Sequence, residues 1–168
     1  EQERFTKWLM RLGGYETLES YSLHSAGSLA EVAASFRADY PHHLQVLREA
    51  VPIVVDDRFA YAHAGIDPLR PVGDQDPKDL MMIRGRFLDH DGQLSHIIVH
   101  GHTRTQDNLP EWHPYRVGID TGAYVSGRLT CVAVSADERN LHCLFATGSA
   151  GRVAVTRQVV TEAELARL

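Results

Sequence analysis

Ser95-His96-Ile97-Ile98-Val99-His100-Gly101-His102-Thr103 is an apolar run that breaks at a glycine and at once presents imidazoles. Three consecutive β-branched residues, Ile97, Ile98 and Val99, suit a pleated strand covered on both faces. Gly101 is expected to supply a sharp backbone exit that a Cβ would resist. His102 then stands just past the strand's end, where layered α/β folds gather side chains around ligands. Upstream, Arg58-Phe59-Ala60-Tyr61-Ala62-His63-Ala64-Gly65 alternates large and small side chains at a strand's period and also ends in histidine near glycine. Two strands therefore deliver imidazole, which in its neutral form ligates zinc, iron, nickel and copper. By spacing alone the signal is weak, because a histidine beside glycine is usually an ordinary surface or hydrogen-bonded residue rather than a ligand.

The 168 residues, 43% hydrophobic and 23% charged, read as one domain over residues 1–168 with enough chain to bury a core. No apolar run reaches the length of a membrane span and no charged-then-apolar leader opens the chain, so a cytoplasmic protein with no membrane partner is expected. A formal net charge of -5 argues against a general nucleic-acid surface. The 17 Lys and Arg are almost all Arg and can still hold a phosphate locally. Cys131 and Cys143 each fall in an apolar strand-like run and are expected to be buried, reduced thiols rather than a bridge.

Phe5, Trp8, Leu9 and Leu12 keep the spacing of an amphipathic helix that stops at Gly13-Gly14. The chain opens on Glu1 inside this helix, which suggests that something precedes it. Ser28 and Glu31 form a capping box for a helix whose stripe is Leu29, Val32, Ala33 and Phe36. Pro41 opens the next helix, with Leu44, Leu47 and Val51 as its apolar face. A strand through Ile53, Val54 and Val55 turns at Asp56-Asp57 and returns toward His63. Residues 66–77 form a polar surface loop, and Leu80, Met81, Ile83, Phe87 and Leu88 a short helical stretch carrying Arg84 and Arg86. A loop with Pro110 and Pro114 follows the His102 strand. Strand-like runs at 129–134, 141–146 and 153–159, separated by turns at 137–140 and 148–151, make an antiparallel meander. Thr161 and Glu164 cap a closing helix.

The ordered set Trp8-Leu9 through Gly13-Gly14, Thr17-Leu18 to Ser20-Tyr21, Tyr61-Ala62-His63-Ala64-Gly65, Ile83-Arg84, Val99-His100-Gly101-His102-Thr103, and Gly118-Ile119-Asp120-Thr121-Gly122-Ala123 with Gly127-Arg128-Leu129-Thr130 resembles successive motifs of bacterial serine/threonine phosphatases. These are calcineurin-like metallophosphoesterases, close to symmetrical diadenosine-tetraphosphate hydrolases. The likeness spans about residues 8 to 134. It implies an α/β (α+β) sandwich of two mixed β-sheets flanked by helices and a site for two divalent metal ions, manganese first, with iron or zinc as alternatives. A metal-bridging hydroxide would attack phosphate in line. His63 and His102 are implied ligands of the same metal, Arg84 an implied phosphate-binding arginine, and Tyr124 a second residue reaching the phosphate. The implied substrate is a phosphorylated protein or a small phosphoester.

The family's earlier motifs, Gly-Asp-x-His, Gly-Asp-x-x-Asp-Arg and Gly-Asn-His-Glu, supply the remaining metal ligands, another arginine and the general-acid histidine; none occurs here. Met82 stands where the family often has tryptophan, and Arg104 where it has proline. The chain is accordingly read as the C-terminal portion of such a phosphatase, with the N-terminal half missing and this portion alone inactive. A sheet without those strands is expected to expose an edge and apolar surface. Dinucleoside polyphosphate hydrolysis is the chemical alternative, and a non-catalytic remnant the reading if nothing precedes Glu1. His100 and the histidines at 24, 42, 43, 90, 96, 113 and 142 read as structural or surface residues, Asp56, Asp57, Asp74 and Asp76 as turn residues, and Asp120 as a cap on the turn after its strand.

Overall fold

The computed structural model describes residues 2–23, 28–135, 140–149 and 152–168; His24 and parts of the turns expected near 137–140 and 148–151 lie outside these. The chain divides into two compact units, Glu1–Ala50 and Val51–Leu168.

The first unit is helical: α1 Gln2–Arg11, α2 Gly14–Ser20, α3 Leu29–Asp39 and α4 Pro41–Glu49. The expected breaks hold, because Gly13 takes a left-handed φ of 77° between α1 and α2, and Pro41 opens α4. Ser28 caps α3 by accepting from the Glu31 N–H at 3.3 Å. Tyr21, Phe36, Tyr40 and His43 gather in edge-on and tilted contacts, and the Tyr21 hydroxyl lies 2.8 Å from His43 Nδ1. The expected stripes are legible but not buried: neither α3 nor α4 has a buried residue, and Leu47 is 70% exposed. A helical unit of this size encloses little apolar surface by itself.

The second unit carries both sheets. Strands β1 Ile53–Val55, β2 Phe59–Ala62, β3 Ile97–His100, β4 Glu111–His113 and β5 Arg116–Gly118 form one sheet in the order β1-β2-β3-β5-β4. The central β2, β3 and β5 run parallel, and β1 and β4 close the edges antiparallel. Two short helices, α5 Pro77–Met82 and α6 Gly85–Leu88, lie in the crossover from β2 to β3. After α7 Ala123–Ser126, strands β6 Arg128–Val134, β7 Leu141–Ser149 and β8 Arg152–Val159 make the expected meander, and Thr161 caps α8 Glu162–Leu165 in a complete capping box. The fold is thus mixed α/β with two sheets, of which only the first is mixed. The second is wholly antiparallel because hairpins alone connect its strands.

Side-chain alternation sorts the first sheet into two faces. Phe59, Ile97, Val99, Trp112 and Val117 meet Leu141, Cys143, Phe145 and Val160 between the sheets. On the other face, Ala60 and Ile98 pack with Ala64, Ile66, Leu80, Ile83 and Phe87 around α5 and α6. The alanines of the Phe-Ala-Tyr-Ala run keep that face low, so the Ala64 N–H reaches the Leu80 carbonyl at 2.8 Å. The second sheet's outward face is apolar and uncovered: Leu129, Ala146 and Val155 stand side by side across three strands, with Leu129 64% and Val155 67% exposed. Cys131 is exposed, contrary to the expectation, whereas Cys143 is buried and burial pushes its thiol up to about 11. No helix among the described residues is long and apolar enough to cross a membrane.

Gly65 has φ 130°, and a Cβ there would overlap the Phe87 ring. Gly65→Ala should therefore cost about 2–4 kcal/mol by combining backbone strain with overpacking. A urea unfolding curve reads the loss, with Gly73→Ala, which meets open space, as the unshifted comparison.

His100 ends β3 only 3% exposed, edge-on to Phe87 at 5.0 Å. Its Nδ1–H donates to the Gly101 carbonyl at 3.2 Å, and its buried Nε2 has no partner among the described residues. Burial is the main reason its pKa falls from 6.5 to about 4, with the Gly101 carbonyl opposing. The group is neutral in both states above pH 6.5. Below that the unfolded chain takes up the proton first, so stability should fall by about 3 kcal/mol between pH 6.5 and 4. His100→Asn should flatten that part of the urea-midpoint profile; an equally steep acid loss in the variant would assign it to other groups.

Candidate metal and phosphate site

Parallel pairing sets Ala62 opposite His100, so the chain leaves β2 and β3 at the same level. The Gly101 N–H extends that pairing by donating to the His63 carbonyl at 2.9 Å. Beyond it the two imidazoles meet: His63 Nε2 lies 3.2 Å from His102 Nδ1, with ring centroids 5.0 Å apart. The two strand-end histidines, 39 residues apart in sequence, thus share one point at the carboxyl edge of the parallel strands.

The backbone exit differs from the expectation. Gly101 has no left-handed φ, and a Cβ there would meet nothing nearer than 3.7 Å. The unusual residue is His102 itself, with φ 63°, at the centre of a three-residue turn closed by the Thr103 N–H on the Gly101 carbonyl at 2.7 Å. Such a conformation costs on the order of 1–3 kcal/mol at a residue with a Cβ. It turns the His102 ring back toward His63.

Arg84 lies between α5 and α6, and its guanidinium donates to the Thr103 hydroxyl at 3.2 Å. Burial, then the charge of Arg84 and of His63, lowers the His102 pKa, with Asp120 opposing. The balance favours the neutral ring over the imidazolium. The second arginine of the same stretch does different work: Arg86 pairs with Asp79 at 2.7 Å and Asp67 at 3.6 Å, anchoring the loop before α5. Among the described residues Arg84 has no carboxylate partner, which leaves its planar fork for an anion.

Asp120 caps its turn as expected, its Oδ1 accepting the Gly122 N–H at 3.0 Å. The backbone N–H and hydroxyl of buried Thr105 donate to the Asp120 carbonyl at 2.9 and 3.3 Å. The structure thus gathers His63, His102 and Arg84, with Thr103 as the link that sequence reasoning left without a role. Its signal was present, a hydroxyl directly after the candidate histidine, but only the fold shows that it meets Arg84. Tyr124, on α7, is 84% exposed and has no described hydrogen bond to the group. The acidic turn residues behave as expected: Asp56 begins the β1–β2 turn, Asp74 pairs with Arg70 and Asp76 caps α5.

Two nitrogens each about 2.0–2.1 Å from one ion stand roughly 2.9–3.4 Å apart, so 3.2 Å suits a pair of ligands on a single metal as well as an N–H···N hydrogen bond. The buried Nε2 of His102 has no partner among the described residues. Among those residues no group of three or more His, Cys, Asp or Glu side chains could hold a metal. Two imidazole nitrogens fit one edge of a coordination sphere, and no further His, Cys, Asp or Glu joins them in such a group among the described residues. Compared with known proteins, the chain matches no family model, no curated protein and no solved structure.

Proposed function

We propose that this chain carries the histidine and phosphate side of a metal-dependent phosphoester hydrolase of the calcineurin-like type, acting on phosphoserine or phosphothreonine in proteins. The observation that supports this reading is the 3.2 Å approach of His63 to His102, with Arg84 reaching the next residue, Thr103. His63 and His102 would hold a divalent ion. When bound, such an ion supplies Lewis-acid polarisation and an activated water. The remaining chemistry belongs to the side chains. Arg84 exchanges its bond to the Thr103 hydroxyl for phosphoryl oxygens, where a charge-assisted contact is stronger than the neutral one it replaces. Its placement against His102 keeps substrate phosphate beside the ion-holding imidazoles and suppresses protonation of His102.

Titration calorimetry with Mn2+ and then with orthophosphate tests the two halves of this reading. His63→Ala and His102→Ala should each weaken Mn2+ binding at least about tenfold, and Arg84→Met should weaken orthophosphate while leaving Mn2+ binding in place. Mn2+ affinity unchanged in both histidine variants would remove the metal assignment.

A further inference from the structure

Hydrogen bonds fasten Gly101 at both of its backbone groups. Its N–H donates to the His63 carbonyl at 2.9 Å, and its own carbonyl accepts from the Thr103 N–H at 2.7 Å and from His100 Nδ1–H at 3.2 Å. The Thr103 bond closes the turn in which His102 takes its φ of 63°. The His100 bond comes from a side chain with little room to move. The His100 carbonyl accepts the Ile119 N–H at 2.8 Å, its ring stands edge-on to Phe87 at 5.0 Å, and 3% of the residue is exposed. The end of β3 therefore presents a fixed donor to the carbonyl on which the His102 turn closes. An apolar side chain would suit the position better on packing grounds, as it does at the buried neighbours Ile97, Ile98 and Val99. Burying an imidazole whose Nε2 has no partner among the described residues costs free energy that an apolar group of similar volume would not. What the imidazole adds is the Nδ1–H, aimed at the Gly101 carbonyl.

We propose that His100 is a positioning residue for the metal-holding imidazole: its Nδ1–H fixes the Gly101–His102 peptide, so that the strained turn keeps the His102 ring aimed at His63. A left-handed residue with a Cβ persists only where its surroundings over-determine it. A carbonyl bonded twice cannot rotate away without breaking both bonds. Because the bond is made before any ion arrives, it lowers the ordering cost of binding and adds no ligand of its own. This inference rests on the metal reading of His63 and His102.

The test uses the full chain. At neutral pH the ring-nitrogen chemical shifts of native His100 should report the Nδ1–H tautomer; the Nε2–H tautomer would overturn the proposal without any variant. His100→Leu removes the donor, and His100→Asn keeps one near the position of Nδ1. Relative to the Ile98 N–H, bonded to the Tyr115 carbonyl, amide exchange at Thr103 should speed up in His100→Leu about threefold to tenfold, the effect of one net hydrogen bond. Titration calorimetry should show Mn2+ binding weakened by a similar factor, and His100→Asn should recover most of both. In the His102→Ala background, His100→Leu should weaken Mn2+ no further. An equal further loss there would make His100 a merely structural residue and overturn the proposal. Thr103 exchange and Mn2+ affinity both unchanged in His100→Leu, with Mn2+ still dependent on His102, would overturn the positioning role and leave the metal reading standing. Mn2+ binding indifferent to His102→Ala would overturn both.

Discussion

The parallel register of β2 against β3 is the constraint on which the candidate site depends. It sets Ala62 beside His100, and the Gly101 N–H continues the pairing onto the His63 carbonyl, so the next side chains on the two strands share one point. The register is itself held by packing on both faces. Phe59, Ile97 and Val99 point between the sheets while Ala60 and Ile98 point toward α5 and α6, so a slip of one residue would exchange the two sets. A large bulge cannot replace the alanines without pushing the helices away, and with them Arg84. Core packing and site geometry are therefore consequences of the same alternation.

Much of this was readable from residues alone. The Phe-Ala-Tyr-Ala and Ile-Ile-Val runs, the Asp56-Asp57 turn, Pro41 at a helix start and the Thr161 capping box all landed where their local chemistry put them, because each is decided within a few residues. What escaped was decided across the fold. The short strand β4, Glu111–His113, sits between two prolines and exists because β5 offers it an edge. That Arg86 and not Arg84 is ion-paired among the described residues depended on Asp67 and Asp79, carboxylates brought in by a loop and by α5. Periodicity marked Leu47 as apolar-facing but could not say whether anything lies over it. Of the four candidate residues named from the sequence, His63, His102 and Arg84 lie together through Thr103 and Tyr124 stands exposed without a hydrogen bond to them among the described residues; the turn that aims His102 was assigned to Gly101, one residue too early.

The second sheet shows the same asymmetry in its surface. One face contributes Leu141, Cys143 and Phe145 to the core, and the other presents Leu129, Cys131, Val153 and Val155 to solvent. β8 is exposed along its whole length and lies at a sheet edge. Exposed apolar strands of this kind lower solubility when nothing else covers them.

The left-handed backbone of His102 sets stability against the metal-holding role proposed for it. A glycine would adopt φ 63° without the Cβ penalty, so a search that rewarded thermal robustness alone would favour discarding the imidazole. Retaining it concedes folding free energy to keep a nitrogen aimed at His63. The position is one where sequence optimisation for a hardier protein and optimisation for a working one would choose different letters.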